Sequence, residues 1–204
     1  MRRVVPGLLA VMALGALPAG ASADGLSLGL DGCPARPTAK VFSRWLDPSN
    51  YTLVPGGTFE GSLSGWKLTG GAKVISGNES FGVAGKADEL ALSLPSGSSA
   101  TTPPMCAAVL DPTLRYFAAN DGGLLSLLTV QVLYYPSGGG VLTLPLGVNA
   151  GGRNWAPSLP TVVAANLLGA LKGGQVQVAF RFTPAGLGAK WRIDDVYLDP
   201  RASH

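Results

Sequence analysis

Glu60 and the pair Asp194–Asp195 are the acidic residues whose positions first suggest chemistry, one in "GGTFEGSLSGW", the others in "WRIDDVYLDP" near the far end. Two carboxyl groups hydrolyse a glycosidic bond when they flank a cleft about 5–9.5 Å apart. Neighbouring residues of a strand point to opposite faces, so Asp194 and Asp195 cannot be that pair with each other. Glu60 with either of them remains, as does Glu79 with Asp88 or Glu89. Nothing in the pattern singles out one combination. The single histidine, His204, is the last residue. That position excludes a Ser-His-Asp triad, a Cys-His pair and a histidine-built zinc site within the fold. The sequence therefore predicts a protein that is not an enzyme.

Cys33 and Cys106 are the only cysteines and are far outside CxxC spacing. In an exported chain an isolated pair predicts a disulfide. It closes a loop of roughly 70 residues and contributes about 4 kcal/mol if it acts by restricting the unfolded chain. Export is expected from residues 1–23. Arg2 and Arg3 precede the apolar run "VVPGLLAVMALGALPAG", and "ASA" ending at Ala23 is a small-residue cleavage site. A span needs about 20 unbroken apolar residues. Pro6 and Pro18 interrupt this run, and none of that length follows. The mature chain is expected to be secreted, with no membrane span. Loss of the two arginines lowers the formal net charge from +3 to +1. The remaining cations are scattered singly, which argues against a nucleic-acid partner.

These residues must be positioned by strands. Residues 24–50 contain irregular, proline-rich sequence and read as an N-terminal arm, with Phe42 and Trp45 folding back onto the domain. Residues 51–200 read as one β domain and 201–204 as a tail. Glycine and proline clusters punctuate short alternating runs. In "QVQVAFRF", Val176, Val178, Phe180 and Phe182 face one way, and Gln177, Ala179 and Arg181 the other. "TLRYFAAN" does the same with Leu114, Tyr116 and Ala118. "TVVAANLLGALKGG" is ambiguous: its first half suits a strand, while Ala165 to Leu171 suits a short helix. "PSGGGV" and "NAGGRNW" lack the lysine of a phosphate loop and read as hairpin turns. The expected fold is all-β, a two-sheet antiparallel β-sandwich (jelly roll) with a disulfide-tethered arm.

Gly57, Phe59, Glu60, Gly61, Gly65 and Trp66 at one end, with Trp191, Ile193, Asp194, Asp195, Val196 and Leu198 at the other, carry a resemblance. The chain resembles the carbohydrate-binding modules of the galactose-binding-like jelly-roll superfamily from about Tyr51 to Pro200. More narrowly, it resembles exported proteins of high-GC bacteria that share such an arm. The resemblance implies a structural calcium held by a glutamate of the first strand and an aspartate of the last. Those roles fall to Glu60 and Asp195, with Asp194 in reserve. Calcium suits the place chemically, because it accepts carboxylates and loop carbonyls in flexible geometry. The alternative is that Glu60 caps a turn and pairs with Arg192 or Lys190 at the surface.

The resemblance also implies a glycan, bound on a concave sheet face or at loops on one edge. Sugar platforms use exposed aromatic rings. Trp66, Trp191, Phe59, Phe180 and Phe182 are expected in the core, which leaves Tyr134, Tyr135 and Trp155, with Tyr135 and Trp155 taken into the ligand set. Tyr134 and Tyr135 are consecutive, so one of them must point outward. With Arg115, Arg181 and Gln177, these residues make the candidate ligand set. The competing partner is an envelope protein, the chain then serving as a structural or interaction component. Charged residues are only 13% of the chain, and Gly and Pro number 29 and 16. Such a surface suits assembly.

Overall fold

The computed structural model describes residues 33–108, 113–136, 139–163 and 175–199. The expected signal peptide, the tail with His204 and the ambiguous stretch from Ala165 to Leu171 lie outside the described residues. In chain order the strands are β1 (Thr52–Leu53), β2 (Lys67–Thr69), β3 (Lys73–Ser76), β4 (Leu90–Pro95), β5 (Ser99–Thr101) and β6 (Met105–Ala108). They continue as β7 (Thr113–Asn120), β8 (Leu127–Tyr135), β9 (Leu142–Asn149), β10 (Ala156–Pro157), β11 (Thr161–Val162), β12 (Gln175–Ala185) and β13 (Lys190–Asp199).

Two antiparallel sheets stack as the alternation predicts. The six-stranded sheet runs β2-β5-β12-β8-β9, with β6 also on β12. The seven-stranded sheet runs β10-β7-β13-β4-β3, with β1 on β13 and β11 on β7. Val178, Phe180 and Phe182 meet Leu114, Tyr116, Ala118, Trp191 and Ile193 in the core between them. Phe59 and Trp66 are there too, edge to face at 5.1 Å. "NAGGRNW" is not a hairpin turn: it carries the chain from β9 in one sheet to β10 in the other.

All eight residues of β7 are buried, so this strand is covered on both faces. The arm supplies the second cover. Phe42, Tyr51, Phe117 and Tyr197 form a separate buried cluster, against which Trp45, Phe81 and Trp155 pack. Phe42 stacks on Phe117 at 5.5 Å. Ala39 bridges Tyr51, and β1 then pairs with β13 (Thr52 opposite Leu198), so the opening and closing strands are neighbours. At the arm's other end Cys33 is bonded to Cys106, which lies opposite Gln177. From Cys33 onward the arm therefore runs from the six-stranded sheet to the seven-stranded one.

Gly57 locks the opening motif to the last strand. Its N–H donates to Val54 O at 2.8 Å, and its carbonyl accepts from Val196 N at 3.1 Å. A Cβ there would lie 2.9 Å from both Val54 O and Val196 O, so no side chain fits.

Candidate functional site

The acidic residues converge beside β13. Alternation alone would place Ile193, Asp195 and Tyr197 on one face. Instead the register shifts between Asp194 and Tyr197, and Asp195 adopts the left-handed conformation at φ 49°. This bulge adds a residue, so Ile193 and Val196 both enter the core. It also brings Asp194 and Asp195 together rather than to opposite faces. Both are 1% exposed. Asp194 is fully engaged, accepting from Glu79 N at 3.0 Å and Asp195 N at 2.8 Å. Asp195 is not: both its carboxylate oxygens are buried without a hydrogen-bond partner.

Burial, then the neighbouring charges of Glu79, Asp88 and Glu60, push the Asp195 carboxyl up to about 7, with the nearby Ala84 N–H pulling the other way. That N–H acts electrostatically without reaching hydrogen-bond geometry. Burial and the Asp195 charge push Asp194 up to about 8. Asp88 is raised by burial, Glu60 and Glu79. Glu60 itself is exposed, and its Oε1 accepts from Glu89 N at 2.7 Å and Leu90 N at 2.6 Å. It pairs with neither Arg192 nor Lys190; Arg192 holds Asp121 at 2.9 Å. Glu79 is buried and accepts from the N–H groups of Phe81 and Val83, closing the loop before β4. Among the described residues no three Asp, Glu, His or Cys side chains form a metal cage by themselves. A cation here would need backbone carbonyls as well.

The five candidate ligand residues divide between two faces. Arg115 is 4% exposed beneath the arm, held to Asp47 at 2.6 Å and to the Ser158 carbonyl, with its guanidinium 4.2 Å from the Phe42 ring centre. Trp155 packs at the same covered sheet, under the Arg192 guanidinium at 4.9 Å. Neither joins a cleft with Arg181. Tyr135, Gln177 and Arg181 do share the outer face of the six-stranded sheet, where Gln177 lies opposite Tyr135. Tyr134 is the tyrosine that enters the core. Four residues of strand separate Gln177 from Arg181, about 13 Å, and the fully buried Ala179 stands between them.

Around Arg181 the outer face opens into a groove of about 440 Å³ lined by Lys67, Thr69, Thr101, Gln131, Arg181 and Thr183 among others. The register sets Lys67 opposite Thr101, Thr101 opposite Arg181, and Arg181 opposite Gln131. Four polar side chains thus form one rung across four strands. Arg181 Nε donates to Thr101 Oγ1 at 3.4 Å.

No family model and no curated protein matches this chain. Similar solved structures include the CBM22-1 and GH10 modules of a Clostridium thermocellum endo-1,4-β-D-xylanase complexed with xylohexaose. The identity is 11% and the TM-score 0.49, over 72% of this chain and 28% of that one. The CBM22-1 xylan-binding domain of a Paenibacillus barcinonensis protein gives 12% and 0.48, over 71% and 91%. TmCBM61 with β-1,4-galactotriose gives 16% and 0.43, over 70% and 94%. This chain therefore spans little more than a quarter of the first of these proteins. What they bind is a property of those proteins.

Sequence reading missed Lys67, Thr101 and Gln131 as neighbours of Arg181, because register between distant strands is not written in any local pattern. Glu79 and Asp88 were visible as acids, yet nothing local announced that their loop folds against β13. Asp47 was the hidden partner of Arg115.

Proposed function

We propose that this chain is an exported, non-catalytic binding module that takes a carbohydrate or envelope glycan in the outer groove of the six-stranded sheet. The supporting observation is the rung from Lys67 to Gln131. Sugars present hydroxyls that both donate and accept, and an unpaired amide, a guanidinium and threonine hydroxyls on rigid strands answer them. Lys67, Gln131 and the terminal nitrogens of Arg181 have no protein partner among the described residues. Among the described residues the groove lining holds no carboxylate, histidine or cysteine, and its lysine, Lys67, stands without an acid–base partner, which supports the non-catalytic reading. A disulfide suits an oxidising, extracellular setting.

A structural calcium belongs to the same reading. Asp195, with two buried and unpartnered oxygens, is the residue that fits, with Glu60 beside it; Asp194, each of whose oxygens already accepts one N–H, serves as support. The site needs carbonyl oxygens too, which calcium accepts. When bound, the ion neutralises the converging carboxylates. It leaves the chain's own hydrogen bonds to shape the bulge and the Glu79 loop.

Leu124, Leu125 and Leu187, 103%, 75% and 88% exposed on two adjoining turns, favour a second reading, docking to an envelope protein. The turns do adjoin: a Cβ on Gly186 would lie 2.1 Å from Leu125 O.

The test is retention of the mature protein by a panel of polysaccharides. At least one is expected to bind, with Gln131→Ala weakening binding about fivefold, the scale of one neutral hydrogen bond. No binding across the panel, or an unaffected Gln131→Ala, would remove the groove from consideration.

A further inference from the structure

We propose that the groove selects glycans carrying negative charge, an inference that rests on the glycan reading and adds the ligand's electrostatic class. Charge is divided unevenly in this sandwich. No strand of the six-stranded sheet contains Asp or Glu, whereas two of its outward residues, Lys67 and Arg181, are cations. The acids among the described residues lie in the arm, in loops or on β13 of the other sheet.

The strand arginines of that other sheet are neutralised: Arg115 by Asp47 at 2.6 Å and Arg192 by Asp121 at 2.9 Å. Arg181 has no such partner among the described residues. Its one hydrogen bond there, from Nε to Thr101 Oγ1, orients the guanidinium and leaves both terminal nitrogens for a ligand. Lys67 and Arg181 are both opposite Thr101, from either side, so two strand spacings, about 10 Å, separate their backbones. Both cations therefore act on the same short stretch of a bound chain.

A guanidinium with two free nitrogens matches the two oxygens of a carboxylate or a phosphate, and such charge-assisted bonds exceed those to hydroxyls. Gln131 and Thr183 remain for the neutral hydroxyls of the same polymer, the Thr69 hydroxyl being engaged with Ser99 at 2.8 Å. An unpaired pair of cations in a groove with no acid among the described residues gives a neutral sugar no comparable return. It also repels any ligand carrying ammonium groups.

The experiment measures binding of the mature protein to three soluble polymers: polygalacturonate, a phosphorylated mannan and a neutral galactan. Each is measured at low and high salt. The acidic polymers are expected to bind at least about tenfold more tightly than the galactan, the scale of one charge-assisted hydrogen bond. Added salt should shrink that preference. Arg181→Gln and Lys67→Gln should each bring acidic binding towards the neutral level without moving the melting temperature. Preference for one acidic polymer over the other identifies carboxylate or phosphate as the charged group, and either result supports the proposal. Equal binding of galactan, with Arg181→Gln leaving the ratio unchanged, overturns the charge inference while the glycan reading stands. Failure of all three polymers, together with the neutral panel, overturns both.

Discussion

Arg115→Ala lowers unfolding stability by about 3 kcal/mol, the low end for removing one partner from a buried ion pair, because Asp47 is only partly buried. Arg115 sits where three parts of the fold meet. It pairs with Asp47 of the arm, donates twice to the Ser158 carbonyl beside β10, and lies over Phe42. Alanine strands the Asp47 carboxylate beneath the arm with Tyr51 as its main remaining donor. Urea unfolding of the single variants and of Asp47→Asn/Arg115→Met checks this. The double variant should recover much of the loss, because no unpaired charge remains.

The same pair fixes an acid dependence. Burial raises the Asp47 carboxyl, but hydrogen bonds from Tyr51, Arg115 and Ser49 outweigh it, so its pKa is lowered. An unfolded aspartate titrates near about 3.9. The folded form then holds its proton less readily than the unfolded chain. The stabilisation is present above about pH 4 and is lost as pH falls through the lowered value. Arg115→Ala weakens this sensitivity and leaves the part contributed by the Tyr51 and Ser49 hydrogen bonds.

Calcium raises the melting temperature of chelator-treated protein by about 5–10 °C at pH 8. This corresponds to a ligand at about a hundredfold its dissociation constant, about 2.7 kcal/mol, acting on a chain of this size. The sign with pH is opposite to that for Asp47. Asp194 and Asp195 are raised to about 8 and about 7, first by burial and then by the neighbouring carboxylates, so the folded state holds protons that the unfolded chain releases. Without calcium their contribution is fully present below about pH 4 and is lost as pH rises through 7 to 8. Calcium replaces those protons, so its effect grows from pH 5 to pH 8. Asp195→Asn removes the charge at the orphaned site and abolishes most of the calcium response, whereas Glu60→Gln reduces it. Scanning calorimetry at several pH values reads all three. An unchanged melting temperature at pH 8 would leave the converging acids without an ion.

Much of the fold was legible because period-two alternation is a local signal. β12 and β7 point their apolar residues inward as their sequences imply, and Tyr134 and Tyr135 divide between core and surface. The two cysteines needed only arithmetic. A motif at each end led to the expectation of neighbouring first and last strands, but the strand beside β13 is β1, and Gly57 to Trp66 form turns between β1 and β2 rather than the strand itself. "WRIDDVYL" was only half legible: apolar residues on both faces of one strand are the trace that a bulge leaves, but not which aspartate it frees. Arg115 shows the harder limit. Its alternation to the outer face was right, yet the arm, 68 positions away at Asp47, turned that face into a second core. The groove was hidden for a similar reason, since Lys67 and Arg181 are far apart in the chain and meet only through Thr101.

The arm covers the seven-stranded sheet around β7, and the proposed ligand face is the open part of the six-stranded sheet around Arg181. Amide hydrogen exchange with and without a bound polysaccharide tests that division most directly. Added protection should concentrate in β2, β5 and the central parts of β8 and β12, around Lys67, Thr101, Gln131 and Arg181. Protection confined to the turns bearing Leu124, Leu125 and Leu187, or spread over the arm and the seven-stranded sheet, would contradict the account.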